Sequence, residues 1–242
     1  MKRAEEWAGP SKRPRVADDK PDPEPQVENK TVRFEEKGAL LTLSEDGLTL
    51  SGSKGYCMAR ANCGVKYGTY YYELMLQPAE SEYHVRFGYG TKKADINAPA
   101  GFDEYSYAYR DLNGACVHKS TRRDAYGAPF GPGDVVGALI SLPKPCENSC
   151  GATVGAPEDM PPGSDECRSD AASAHLAGTI RFFVNGKDQG VAFDDVPCGD
   201  MHAYYPVLSI YHAGTVVATL ASPFAAPPTE YAFEAIPYAQ EV

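Results

Sequence analysis

Three features of the 242-residue sequence predict an all-β fold, a twisted antiparallel sandwich. Short apolar runs of roughly four to eight residues, rich in Tyr, Phe and Val, recur from residue 31 onward, and these residue types suit a pleated, half-buried surface. Gly, Pro, Asn and Asp punctuate the runs, and Asp46-Gly47 and Asn185-Gly186 are two-residue turn signals between apolar stretches. No window carries the period of about 3.6 residues that an amphipathic helix needs. A repeat of about 20–50 residues is also missing, which argues against a propeller.

Taken in order, the candidate strands are 40–43, 48–51, 55–60, 69–76, 84–89, 105–110, 115–119, 135–141, 179–184, 190–193, 205–211 and 215–220. In 84–89, Arg86 alternates with Val85 and Phe87, so on the residues alone it could be a buried arginine, and Arg110 could be a plain surface residue. Gly133-Asp134 makes a turn ahead of 135–141, whose apolar run reads as a core strand. Asn185-Gly186 supplies the positive-φ turn between two antiparallel strands. Pro206 marks either an edge position or the first residues of a strand. The segment 144–178 is dense in Pro, Gly, Ala, Ser and Asp and reads as a long insertion loop, which a sandwich tolerates because loop-closure cost grows slowly with length.

The ends read differently. Residues 1–30 are rich in Pro, Glu, Asp and Lys, with Trp7 the only aromatic, so the tail cannot bury enough apolar surface to offset ordering and is expected to be disordered. It holds two basic clusters, Lys2-Arg3 and Lys12-Arg13-Pro14-Arg15, the pattern read by nuclear import receptors. The expected location is therefore the nucleus. The domain is expected to span 31–228, and 229–242, with Pro237 and no amphipathic stripe, reads as a short C-terminal tail.

Charge and cysteines narrow the function. Of 23 basic and 33 acidic side chains, seven of each fall in residues 1–30, which leaves the whole net charge of -10 on the remainder. Such a body repels phosphate backbones, so direct DNA binding is not expected, although a local basic patch can still take an acidic peptide. No stretch approaches the roughly 20 apolar residues of a membrane-spanning helix. Seven irregularly spaced cysteines do not form a secreted disulfide framework. Cys146, Cys150, Cys167 and His175 share one loop but lack the tight C-x2-C pair of a zinc site, so no metal is expected. No nucleophile elbow, phosphate loop or zinc-protease helix motif is present, and the five histidines show no triad or ligand spacing. The chain is expected to be a binding protein without cofactor, not an enzyme.

Seven stretches together resemble one family: 54–61 (KGYCMARA), 68–73 (GTYYYE), 85–89 (VRFGY), 98–110 (APAGFDEYSYAYR), 131–137 (GPGDVVG), 182–193 (FFVNGKDQGVAF) and 205–211 (YPVLSIY). Their order resembles the SPRY domain, and the block 98–110 resembles more narrowly the SPRY domain of the trithorax-group Ash-two-like proteins, Bre-two in yeasts. The similarity runs from about residue 40 to 228, broken by the loop at 144–178, where that family also tends to carry an insertion. Neither the zinc-finger and winged-helix region that precedes the sandwich in that family nor the helix that follows it and pairs with a Dpy-thirty-type subunit is expected in this sequence.

The resemblance implies a scaffold subunit of a histone H3 lysine-4 methyltransferase complex of the COMPASS type. In it the sandwich binds an acidic or phosphorylated segment of a WD-repeat protein, and the pair orders a SET-domain methyltransferase that carries the S-adenosylmethionine. The residues that match the family's peptide pocket are Tyr56, Arg86, Pro99, Phe102 and Arg110, with Lys92 and Lys93 as supporting cations. Two guanidinium groups suit such a ligand, since each grips carboxylate or phosphate with two parallel hydrogen bonds. The sequence departs from the family in two places: Phe102 stands where a tyrosine is usual, and Asp111-Leu112 replaces a lysine and opposes an acidic ligand. Read from the residues alone, Arg86 could equally pair with a core carboxylate. The competing role is a SPRY peptide-binding module of a ubiquitin ligase or another nuclear adaptor.

Overall fold

The computed structural model describes residues 31–144 and 177–237, and in it two antiparallel sheets form a sandwich. The first sheet has the order β1 (Phe34–Lys37), β4 (Tyr56–Ala61), β13 (Tyr205–Tyr211), β6 (His84–Gly90), β7 (Ser106–Arg110), β8 (Ala115–His118) and β9 (Thr121–Arg123). The second has the order β12 (Lys187–Pro197), β11 (Ala177–Val184), β10 (Val135–Leu142), β5 (Gly68–Leu76), β14 (Thr215–Thr219), β3 (Thr49–Gly52) and β2 (Leu41–Leu43). Each of the twelve candidate strands coincides with one of these. One 3₁₀ turn, Leu112–Gly114, links β7 to β8.

Period-two alternation builds the core. Along β6, Val85, Phe87 and Tyr89 are fully buried between the sheets, and His84 and Arg86 lie on the opposite, outer face. Phe87 meets Phe182 of the second sheet edge-to-face at 5.3 Å, and Tyr109 stacks on the same ring at 5.1 Å. Two tyrosines lock the sheets together through their hydroxyls. Tyr72 Oη donates to Gly88 O at 2.6 Å, and Tyr89 Oη donates back to Tyr70 O at 3.2 Å. Burial raises both phenols well above the usual 10, which keeps them neutral donors.

The turn chemistry is as the sequence indicates. Asn185 and Gly186 have φ of 50° and 76°, and Val184 pairs with Lys187 across that turn. Pro206 lies at the start of β13, not on an edge strand: β13 sits between β4 and β6, but its pairing with β4 begins only at Val207.

Three strands have no counterpart among the twelve: β1, β9 and β15 (Glu234–Ala235). The last runs parallel to β5 at Tyr70 and Tyr71, beyond the point where β14 stops pairing. The segment after Pro228 is thus not a free tail up to residue 237. Tyr231 and Phe233, with Phe224, cover Tyr71, Leu139 and Phe183 on the outer face of the second sheet, and Ile236 is buried. Glu73, itself buried, ties this strap down by accepting hydrogen bonds from Ala225 N at 2.7 Å, Ala226 N at 2.9 Å and Tyr71 Oη at 3.0 Å. The import-like residues Lys2, Arg3, Lys12, Arg13 and Arg15, and the loop set Cys146, Cys150, Cys167 and His175, lie outside the described residues.

Candidate anion-binding site

The outer face of the first sheet holds the site. Its middle is roofed by the loop 91–105, whose Ala94 and Ala100 pack with Met58, Ala108 and Val207 into a small second core. The loop is internally braced: Asp103 accepts hydrogen bonds from Asp95 N at 2.8 Å, Tyr105 N at 3.0 Å and Ser106 Oγ at 3.1 Å. Ala100 N donates to Ser209 Oγ at 2.8 Å, which seats Pro99 and Ala100 above β13. Gly101 then turns with φ of 82°, and an added Cβ there would meet Val117 O at 2.5 Å, so only glycine fits. Phe102 follows, its N bonded to Pro99 O at 3.0 Å and its ring 52% exposed.

At the edge of this roof the two arginines meet. Arg86 of β6 stands directly opposite Arg110 of β7, and Ser209 of β13 stands opposite Arg86 on the other side. Tyr56 of β4 reaches over from the neighbouring row: the Arg86 guanidinium carbon lies 4.9 Å from the centre of its ring. Tyr211, paired with Tyr56 across the strands, stacks on it at 4.8 Å, and His84 stacks on Tyr211 at 6.2 Å. The structure therefore brings Tyr56, Arg86, Arg110 and the Pro99–Phe102 turn to one patch. Tyr211 and His84 also belong to it. The sequence hints at them only through their place on neighbouring strands.

The electrostatics of the patch are unusual. Like charges directly opposite across a strand pair repel, and they persist only where something offsets them. Among the described residues neither arginine forms an ion pair with a carboxylate. Four buried side-chain polar atoms there lack a partner in hydrogen-bonding geometry: Tyr56 Oη, Arg86 Nε, Arg110 Nε and Asp111 Oδ1. All four lie in this one cluster. Buried polar atoms are rarely left unpaired, so four in one cluster single this patch out, with Arg86 and Tyr56 close enough to interact with each other. Burial lowers the Arg86 pKa, Tyr56 opposes that shift and the Arg110 charge adds to it; burial likewise raises the Tyr56 phenol.

Asp111, an expected obstacle to an anionic ligand, is buried at this patch, near enough to act on both Tyr56 and Arg86. Its Oδ2 lies 2.8 Å from His84 Nδ1, and burial raises its pKa while His84 lowers it. Lys92 and Lys93 do not join the arginines. They lie past Gly90, at the far end of β6, about 13 Å from Arg86 or more at about 3.3 Å per residue. There they line a separate cavity and approach the rings of Tyr205 and Tyr105.

Comparison with known proteins bears on this architecture. The SPRY domain family profile matches residues 69–145, the stretch from β5 through β10 that carries both arginines. The sandwich has the SPRY-type fold. Its fold is similar to that in the crystal structure of the SPRY domain of human HERC1, with a TM-score of 0.50 and 18% identity over 74% of this chain and 91% of that one. Among curated proteins, the chain is 30% identical over 208 residues to the "Set1/Ash2 histone methyltransferase complex subunit ASH2" of Drosophila melanogaster. It is 29% identical over 215 residues to the "Set1/Ash2 histone methyltransferase complex subunit ash-2" of Caenorhabditis elegans. Each alignment covers 81% of this chain but only 36% and 37% of the two relatives, so the chain matches little more than a third of their length.

Proposed function

We propose that this SPRY domain is a non-catalytic scaffold in a nuclear histone methyltransferase complex of the Set1 type. It binds an acidic or phosphorylated segment of a WD-repeat subunit through Arg86 and Arg110, and the pair orders a SET-domain enzyme that methylates histone H3 lysine-4. The observation that carries the reading is the unpaired Arg86–Arg110 couple, with its unpartnered Nε atoms, beside the Tyr56–Tyr211 stack and the Pro99–Phe102 turn. An anionic strand supplies what this patch lacks. Its oxygens accept from both guanidinium groups, and its charge relieves their mutual repulsion. The aromatic and proline walls thin the water around those bonds and strengthen them. The ASH2 relatives, subunits of Set1/Ash2 histone methyltransferase complexes, support the choice of complex.

Reconstitution tests it. The full chain is added to a SET-domain subunit with its WD-repeat partner, and histone H3 lysine-4 methylation is followed. The reading expects the chain to raise the rate, and expects the Arg86→Ala, Arg110→Ala double variant to lose that effect. A folded chain that leaves the rate unchanged contradicts it. A pulldown from nuclear extract that returns cullin or RING proteins and no methyltransferase subunit also contradicts it.

A further inference from the structure

At the other end of β6 and β13 lies a cavity of about 310 Å³ rimmed by Lys66, Lys92 and Lys93. Tyr105 and Tyr205 wall it, with the Lys93 and Lys92 ammonium groups 5.8 Å and 5.5 Å from their ring centres. Among the described residues none of these lysines is in an ion pair. The one carboxylate on the lining, Asp200, is engaged by the Tyr67 hydroxyl at 2.6 Å. Three cations around one concavity, on a body whose net charge is strongly negative, concentrate positive potential locally.

The cavity is also prebuilt. The turn that presents Lys92 and Lys93 is clamped from beneath by buried Arg60, which donates to Thr91 O at 2.8 Å and Ala94 O at 3.3 Å and is itself held by Glu36 at 2.8 Å. On the facing wall, His202 N bonds Gly199 O at 2.9 Å, and Met201 stands 91% exposed at the rim. A rigid backbone on both sides lets the lysine heads move while the pocket stays open.

We infer that this lysine cavity is a second peptide-docking site, which takes a carboxylate-bearing side chain from an acidic segment of a partner protein. Its carboxylate sits among the three ammonium groups, its methylene stem lies on the tyrosine faces, and Met201 closes over it. Size and charge favour this occupant over a nucleic acid. A volume of about 310 Å³ holds one or two side chains, and a long polyanion would have to approach the acidic body around the cavity.

The test uses the full chain carrying Arg86→Ala and Arg110→Ala, so that the arginine patch cannot contribute and its own reading is not at stake. Fluorescence anisotropy with labelled hexaglutamate is compared with hexaglutamine. The inference expects saturable binding of hexaglutamate alone, weakened about tenfold or more by Lys92→Glu with Lys93→Glu, since each reversal replaces an attraction by a repulsion. Thermal melts check that these exposed substitutions leave the fold intact. Absence of saturable hexaglutamate binding, binding indifferent to the two reversals, or tighter binding of a short DNA duplex overturns it.

Discussion

Replacing Arg110 by methionine is expected to move stability and binding in opposite directions. The substitution keeps the length of the stem and removes the guanidinium. In the free domain that guanidinium faces Arg86 directly across the strand pair, and its Nε is buried without a partner. Relief of a like-charge cross-strand pair is worth about 0.2–1 kcal/mol. A buried donor left unpaired costs about 1–3 kcal/mol, and a thioether has no donor to strand. Lost attraction to the nearby Asp111 offsets part of the gain, so we expect a net stabilisation of about 1 kcal/mol, a rise in Tm of about 2–4 °C for a domain of this size. Binding of the acidic partner peptide should meanwhile weaken by about 2–5 kcal/mol, about 30-fold or more in Kd, as for one member of a buried charge pair removed. Differential scanning calorimetry reads the first and isothermal titration calorimetry the second. A Tm that falls by several degrees would refute the reasoning, because it would make Arg110 a member of an internal structural network.

Other variants probe the surroundings. Asp111→Asn should raise affinity for an acidic peptide at pH 7, measured by the same titration, because it removes the carboxylate that faces Arg86 and Tyr56. Its stability effect follows from the raised pKa of Asp111: the native state holds the proton more tightly, so that contribution is complete below the usual 3.8 and is lost as pH rises through the folded value. Urea melts across acid pH should show that loss in the parent chain and not in Asp111→Asn. Gly101→Ala forces a Cβ against Val117 O at a φ of 82°, and should displace the Pro99–Phe102 turn and weaken peptide binding at a stability cost of about 1–3 kcal/mol, seen by titration and urea melts. Glu73→Ala strands Ala225 N and Ala226 N, while the Tyr71 hydroxyl keeps Ala226 O, and should cost about 2–6 kcal/mol, with hydrogen exchange fastest in the strap that holds Tyr231 and Phe233.

Much of this is legible in the sequence because the core strands alternate or run apolar. The outer-face position of Arg86, by contrast, is settled by the sheet, since the alternation with Val85 and Phe87 also fits a core-paired arginine. The strands that escape are short and polar. FEEK in β1 and TRR in β9 have no apolar period, and their pairing is imposed by β4 and β8 at the sheet edges. β12 extends from Lys187 to Pro197, well past the apolar residues 190–193, because its Asp194 and Asp195 lie on an edge where a strand needs no burial. The aromatics after residue 222 have no strand spacing, and only the exposed outer face of β5 and β10 gives them a partner.

The site is legible in part. Tyr56, Arg86, Pro99, Phe102 and Arg110 come from a family resemblance, but the direct opposition of the two arginines depends on the β6–β7 register, which no local pattern encodes. The same register hides the roles of Tyr211 and His84. Lys92 and Lys93 are close to the arginines in sequence, between Arg86 and Pro99, yet a strand carries charge away at about 3.3 Å per residue.

The most direct test of the arginine patch watches the two Nε–H groups themselves. In nuclear magnetic resonance spectra of the full chain, the side-chain Nε signals of Arg86 and Arg110 are assigned by single substitution, and an acidic peptide from a WD-repeat subunit of a Set1-type complex is titrated in. Both signals should shift together and saturate with the peptide, as protons without an acceptor gain one. A peptide that saturates the chain and leaves both signals in place would contradict the account.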